Sequence, residues 1–298
     1  MKELNLQKIL TESVNENTHD LDLKTTNEIL TLINQEDSKI SQAVKEQIPT
    51  IGKIVDQIFI KFQNNGRLIY LGAGSSGRIG VLDASEMLPT YGVADKFFGY
   101  IAGGDLALRI PIEGAEDSEE LAVQDLKNIN LTSNDTVIGI GASGRTPYVI
   151  GALKYAKSIN AFSVGLCMTT DSEFRKYSDG VIEVNSGPEV VTGSTRMKSG
   201  TATKMVLNMI STTLMIKSGK VYDNLMIDVK ATNEKLVARC IKIVNELTQT
   251  SDNEKTLAIL KEADMDCKFA SIMITNQVSY QEAQLLFEKN HKSLRGLI

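Results

Sequence analysis

The chain has 298 residues, of which 42% are hydrophobic and 23% charged, and its formal net charge is −5. That length and apolar content support one large domain, or a medium domain with a small appendage, and exclude global disorder. A mildly acidic chain whose basic residues fall in short, interrupted clusters offers no continuous face to a polyanion, so no nucleic-acid partner is expected.

The first sixteen residues, from Met1 to Glu16, are polar and contain no continuous apolar stretch, unlike a signal peptide. Apolar Ile29, Leu32 and Ile33 recur at helical spacing, and the pattern predicts helix from about Thr25 to Phe62 with a break near Pro49. Arg67 to Leu71 is short, apolar and followed by glycine, as suits a buried parallel strand. Further on, Phe97 to Ile101 reads as strand and Glu119 to Leu126 as helix. Thr136 to Ile140 is again strand-like, followed by a helix over Tyr148 to Ala156. Phe162 to Leu166 and Gly180 to Val184 add two strands, and a long helix is predicted from about Met197 to Lys217. The least polar run within it, Met205 to Ile216, is too short to span a bilayer and reads as a buried helix, so no membrane association is expected.

From about Asn224 to Leu247 the spacing of Ile227, Val229, Leu236, Val237 and Ile241 predicts one more helix. Ser251 to Glu254, Asp264 to Asp266 and Ser279 to Glu282 then look like caps or turns ahead of short helices. The expected fold class is α/β, a doubly wound parallel sheet flanked by helices, with N-terminal helices and a small C-terminal helical module. The expected division is a catalytic domain over residues 1–240 and a three-helix module over 241–298.

Three segments are dense in groups that bind anions. Gly72-Ala-Gly-Ser-Ser-Gly77 follows a strand and opens a helix. It matches the glycine pattern of a dinucleotide loop, but the acidic residue that such a loop wants about 20 positions on is missing around Phe97 to Ile101. Ser75 and Ser76 suit a terminal phosphate, which accepts from backbone N–H and hydroxyl groups together; a tight turn without a ligand is the remaining reading. Gly141-Ala-Ser-Gly-Arg-Thr-Pro147 repeats the grammar of strand, small-residue loop and Gly-Arg before a helix. It supplies Ser143, Arg145 and Thr146 as candidates, or forms merely a capped helix with a solvated arginine. The third segment, Gly187 to Lys204, contributes Glu189, Ser194, Thr195 and Lys198 as candidate binding residues. Ser194 or Thr195 can cap the long helix, and cations near its N-terminus make sense if they meet an anionic ligand; the other reading is that these charges point to solvent.

The chemistry available is that of carboxylates. His19 and His291 lie near opposite ends of the chain, which argues against a His-based metal site or a Ser-His-Asp triad. Cys167, Cys240 and Cys267 are odd in number and widely spaced, which fits a reducing compartment and no zinc site. Glu86 and the loop carboxylates from Glu113 to Asp117, Glu116 among them, are candidate acid/base groups; otherwise Glu86 is a surface helix residue and Glu116 to Ser118 simply begin a helix. Glu86 lies roughly three helical turns beyond Ser75, too far for one straight helix to serve both ends of a sugar, so a helix break or a pocket shared with a partner subunit is expected.

In order, Gly72 to Glu86, Ile101 to Gly104, Glu113 to Ser118, Ala142 to Tyr148 and Thr192 to Ala202 resemble the N-acetylmuramic acid 6-phosphate etherases, which carry the sugar isomerase (SIS) domain. Thr18 to Asp22, Asn208 to Thr212 and Lys220 to Met226 extend the similarity over nearly the whole chain. Two departures are small: Ser75 stands where the family often has threonine, and Met87-Leu88 where a Cys-Pro pair is common. The resemblance implies an SIS-type sheet and a cytoplasmic, homodimeric enzyme without metal or cofactor. Its expected reaction is cleavage of the lactyl ether of a 6-phosphosugar by elimination and hydration. It also implies Glu86 as the proton donor to departing lactate and Glu116 as the carboxylate guiding water. A raised pKa for Glu86, from burial or from Asp83, is expected with that role. Two other readings share the domain: a non-catalytic phosphosugar-binding regulator, like the much longer glucokinase regulatory proteins, and an aldose-ketose phosphosugar isomerase.

Overall fold

The structure is a computed structural model that describes residues 10–229, 231 and 233–298. The chain divides into two compact units, Met1–Ser85 with Asp95–Ser211 and Glu86–Ala94 with Thr212–Ile298.

The first unit opens with short 3-10 turns between Leu10 and Leu23, then α1 (Thr26–Asp37), α2 (Ile40–Lys45) and α3 (Ile48–Gln63). Thr25 and Glu28 close a reciprocal capping box at the start of α1. The helical region is thus interrupted at residues 38–39 and 46–47. Pro49, expected at a break, instead occupies the first turn of α3, where a missing N–H and a fixed φ cost nothing. Ile51, Ile54, Val55 and Ile58 form its buried stripe.

The sheet has five parallel strands: β1 (Leu68–Gly72), β2 (Phe97–Ile101), β3 (Thr136–Ile140), β4 (Phe162–Cys167) and β5 (Gly180–Glu183), in the order β2-β1-β3-β4-β5. The helices are α4 (Gly74–Ser85), α6 (Glu119–Asn128), α7 (Pro147–Ser158) and α8 (Lys198–Lys217), of which α8 from Thr212 on counts with α5 (Met87–Tyr91) in the other unit. β1 and β3 are buried at every position because helices cover the sheet, hence their unbroken apolar runs. On one face Ile69, Leu71 and Val137 pack with Ala122, Leu126, Tyr148, Ala152 and Ala156 of α6 and α7. Elsewhere α4 lies directly on β2, and Gly99 permits the approach: a Cβ there would come 2.5 Å from the Val81 Cα. The amino edge is pinned by Arg67, whose Nη2 lies 2.7 Å from Asp135 Oδ2. Burial alone would raise the Asp135 carboxyl, but hydrogen bonds from Arg67 and Thr132 hold it below its ordinary value.

The chain passes from β1 to β2 on one side and then crosses back to β3 on the other side of β1, from where the order continues outward. The carboxyl ends of β1 and β3 therefore form a topological switch point, where open α/β sheets leave a crevice.

The second unit differs from the expected continuous helix over 224–247. Val221–Tyr222 (β6) and Leu225–Met226 (β7) form an antiparallel hairpin, turned at Asp223 with φ of 52°. Asp and Asn tolerate that backbone region, so the Asp223-Asn224 pair makes a turn rather than a helical start. Ile227 and Val229 are buried all the same, on a segment without regular secondary structure. Helix α9 (Glu234–Thr248) begins only at the Asn233 cap. It packs with α10 (Asn253–Glu262) and α11 (Cys267–Asn276), and α12 (Tyr280–Lys289) follows, so a short helix stands after each of the three caps read from the sequence. Asp252, Asp266 and Ser279 cap the last three. Cys240, Val244, Leu260, Cys267, Ala270, Ile272 and Ala283 fill its core. No helix among the described residues is long and apolar enough to cross a membrane.

One ion pair sits deep in the first unit. The Lys198 ammonium, on a residue only 1% exposed, lies 2.7 Å from Glu36 Oε2, on a residue 3% exposed. Lys39 and the Asn17 amide also donate to Glu36. Burial alone would raise the Glu36 carboxyl, but hydrogen bonds from Lys198 and Lys39 prevail and lower it to about 2, from an ordinary 4.5. A depressed folded-state pKa contributes stability that is complete above the unfolded value of 4.5 and is lost as pH falls towards 2. Glu36→Gln should cost about 3–5 kcal/mol near pH 7 by leaving a buried ammonium unpaired. It should also flatten the acid limb of a urea-unfolding stability profile; parallel acid limbs for variant and parent would refute the assignment.

Candidate active site

Gly72 ends β1 in register with Ile140, the last residue of β3, so the loops after both strands leave the sheet side by side. Gly74, with φ of 52°, turns the first loop into α4 and puts Ser75 and Ser76, both half-buried, in the first helical turn. Unpaired N–H groups and hydroxyls there favour an anion. Ser75 lines a cleft of about 340 Å³ together with Arg78, Ala107, Glu113 and Glu116. The structure therefore brings Ser75 and Glu116 together, although they lie 41 positions apart in sequence. Glu116 is exposed, on the 3-10 turn Ala115–Asp117, and Ser118 beyond it caps α6 by accepting from the Leu121 N–H at 3.1 Å. That cap anchors the turn that carries Glu116.

The second loop holds Ser143 and Thr146 half-buried, Thr146 standing at the N-cap of α7 just before Pro147. Gly144 has φ of 67°, and a Cβ on it would lie 2.3 Å from the Ser172 Cβ, so both conformation and space require glycine. Arg145 does not project freely: its Nη1 donates to Glu173 Oε1 at 2.9 Å.

The third segment departs most from expectation. Glu189 is fully buried, and its two oxygens accept from the backbone N–H groups of Lys198 and Ser199, both at 2.9 Å. The carboxylate therefore caps α8, in place of the expected Ser194 or Thr195. One bidentate anion satisfies two orphan donors and complements the helix dipole, which a single hydroxyl does less well. Ser194 and Thr195 lie in turns ahead of the helix, half-buried, their N–H groups bonded to Val191 and Gly193. Lys198, expected to face an anionic ligand, has a carboxylate of this chain for its anion, that of Glu36.

Helix α4 ends at Ser85, and Glu86 is the N-cap residue of α5, so the break expected before Glu86 is present. Glu86 is exposed in its own unit. Asp83, expected as its neighbour, turns inward: it is 3% exposed, and its Oδ1 accepts from Asn208 Nδ2 at 2.7 Å and from Ser211 Oγ at 3.1 Å. Burial pushes the Asp83 carboxyl up, against the opposing pull of those donors. Asp83 thus ties the last turn of α4 to α8. Among the described residues no group of three or more His, Cys, Asp or Glu side chains is disposed to hold a metal ion.

One residue of the cleft has no role that the sequence assigns: Arg78 shows only as part of the repeated Gly-Arg pattern, whereas Glu113 falls among the candidate loop carboxylates. The Glu36 partnership with Lys198 spans 162 positions and has no local signal.

The family model for the glucokinase regulatory protein N-terminal SIS domain matches residues 50–157, and that for the SIS domain matches residues 115–213. A Mycoplasma mycoides subsp. mycoides SC protein named N-acetylmuramic acid 6-phosphate etherase is 52% identical over 299 residues, covering 100% of this chain and 99% of its own. A Clostridium botulinum (strain Okra) protein of the same name is 52% identical over 291 residues, covering 97% of this chain and 96% of its own. A solved structure of a protein from E. coli CFT073 matches with a TM-score of 0.50 at 18% identity, over 67% of this chain and 97% of that one, which shows a shared fold.

The Glu189 cap is open to test. Glu189→Ala should destabilise the protein by about 2–3 kcal/mol in urea unfolding, because two buried N–H groups lose a charged acceptor. Glu189→Gln, which keeps one acceptor oxygen, should lose roughly half as much. A loss under about 0.5 kcal/mol for the alanine variant would mean that water replaces the cap.

Proposed function

The chain belongs to the N-acetylmuramic acid 6-phosphate etherase family, and we propose that it cleaves the D-lactyl ether of N-acetylmuramic acid 6-phosphate, releasing D-lactate and N-acetylglucosamine 6-phosphate in amino sugar recycling. The observation that carries this reading is 52% identity across the full chain with proteins named for that activity.

In the proposed course the open-chain sugar presents an aldehyde at C1, which acidifies the proton on C2. A base removes that proton and the C3–O bond breaks. The departing lactyl oxygen takes a proton, leaving an unsaturated aldehyde. Water then adds at C3, C2 is reprotonated, and the net change is consumption of one water. Glu86 is assigned as the acid for the leaving oxygen and Glu116 as the carboxylate that guides water. The position of Glu116 in one cleft with Ser75 supports this reading, since Ser75 opens a helix N-terminus suited to phosphate. Ser76, Ser143 and Thr146 are assigned to the same phosphosugar. Ser194 and Thr195 remain candidates on their half-buried turn, whereas Glu189, Lys198 and Arg145 are assigned to holding the binding segments in shape through the carboxylate contacts already described.

The protein is further proposed to act in the cytoplasm as a homodimer. Three free, buried thiols fit a reducing compartment. Leu106, Ile110 and Ile112, exposed on the segment that leads into Glu113, offer apolar surface for a second copy beside the cleft. The match to a regulatory-protein SIS domain keeps a silent phosphosugar sensor as the second reading.

D-lactate release from N-acetylmuramic acid 6-phosphate, measured with a chelator present, decides between them. The parent protein should release lactate. Glu86→Gln should lower turnover by roughly 10²–10⁴-fold while N-acetylglucosamine 6-phosphate still binds. Near-normal turnover in that variant would overturn the role of Glu86, and binding without any release by the parent would favour the sensor.

A further inference from the structure

The proposed substrate carries two anions, a phosphate on C6 and a carboxylate on the lactyl group. The second distinguishes it from its product. Of the candidate cations, Lys198 is buried against Glu36 at 2.7 Å and Arg145 is paired with Glu173 at 2.9 Å. Arg78, which follows the glycines of the first loop as Arg145 follows that of the second, has no such partner among the described residues. Its Nε donates to the Leu108 carbonyl at 2.9 Å and its Nη2 to the Ala107 carbonyl at 2.7 Å. Both acceptors are neutral, and among the described residues no other bond to Arg78 is present. A guanidinium has five N–H donors, so the edge bearing Nη1 remains for a ligand. The residue is half-buried and lines the cleft with Ser75 and Glu116.

We propose that Arg78 is the specificity residue of this site and that its free edge receives the lactyl carboxylate; the inference rests on the etherase reading. Three observations favour the carboxylate over the phosphate. Ser75 and Arg78 are one helical turn apart on the same face of α4, so N–H groups and hydroxyls can take the phosphate at the helix start while Arg78 reaches a second group. Glu116, assigned to the water that replaces lactate at C3, lines the cleft beside Arg78, which brings the lactyl group to that arginine. Glu113 and Glu116 repel a loosely held anion, so a planar carboxylate is admitted only where a fork of parallel N–H bonds compensates. The carbonyls of Ala107 and Leu108 fix the fork in advance, so little freedom is lost on binding.

The test compares two ligands and two variants. In Arg78→Gln, kcat/KM for N-acetylmuramic acid 6-phosphate should fall roughly 10- to 100-fold, the range for losing a charge-assisted hydrogen-bonded pair. Affinity for N-acetylglucosamine 6-phosphate, measured by calorimetry, should stay within about threefold. Arg78→Lys, which keeps the charge and loses the fork, should fall between. A substrate analogue with the lactyl carboxyl converted to carboxamide should bind the parent protein more weakly by a similar factor, and Arg78→Gln should no longer distinguish acid from amide. The analogue comparison in the parent needs no variant, so a misfolded glutamine variant does not end the test. Equal losses for both phosphosugars would assign Arg78 to the phosphate or to cleft shape and overturn the proposal. So would an unchanged kcat/KM, or a parent protein indifferent to the amide. Failure of the etherase reading is separate, since it shows as no lactate release from the parent protein.

Discussion

Burying one ammonium governs the architecture around the third loop. Lys198 opens α8 at the point where a helix dipole is least hospitable to a cation, and its side chain lies inside the protein. Two carboxylates make that tenable: Glu36 takes the ammonium, and Glu189 takes the backbone N–H groups of Lys198 and Ser199. The N-terminal segment closes over this arrangement. Asn15 donates to the Pro188 carbonyl at 3.3 Å, Thr18 to the Val190 carbonyl at 2.9 Å, and Asn17 to Glu36. The helices before the sheet therefore supply the counter-charge that lets residues 187–197 hold one shape.

The same accounting separates structural charge from functional charge. Burial of an ion demands a partner, and a cation already matched to a carboxylate has little left for a ligand. Lys198 is matched in this way inside the protein and Arg145 meets Glu173 in a half-exposed pair, whereas Arg78 is tethered, among the described residues, to neutral carbonyls. Glu189, by contrast, is an anion engaged by neutral donors and wholly enclosed. Groups that look interchangeable in a motif rich in serine, threonine and basic residues thus divide by what their charges already meet.

The C-terminal unit has a different logic. Its helices bury a core of their own. Asp228 receives both Lys220 and Lys268 near the base of the hairpin, and Lys268 in turn lies against the Asp266 cap of α11. Lys268 keeps a raised pKa against the downward effect of its burial because Asp266 and Asp228 surround it. This network joins the segment after β7 to α11, two places that sequence periodicity treats as unrelated.

The strands and most helices were legible because the signal is local: parallel strands buried on both faces read as apolar runs, and caps such as Thr25, Ser118 and Ser279 announce their helices. Residues 221–229 misled because apolar spacing there fits a helix, whereas the turn chemistry of Asp223-Asn224 wins. The sequence by itself determined the α/β class, the two Gly-Arg loops and the inventory of candidate groups, since each depends on neighbours within a few positions. Only the tertiary structure decided which charges are already compensated. The partners of Lys198, Arg145 and Asp83 lie 162, 28 and 125 positions away. No periodicity carries that information, because the desolvation that forces such pairings exists only once the chain has folded.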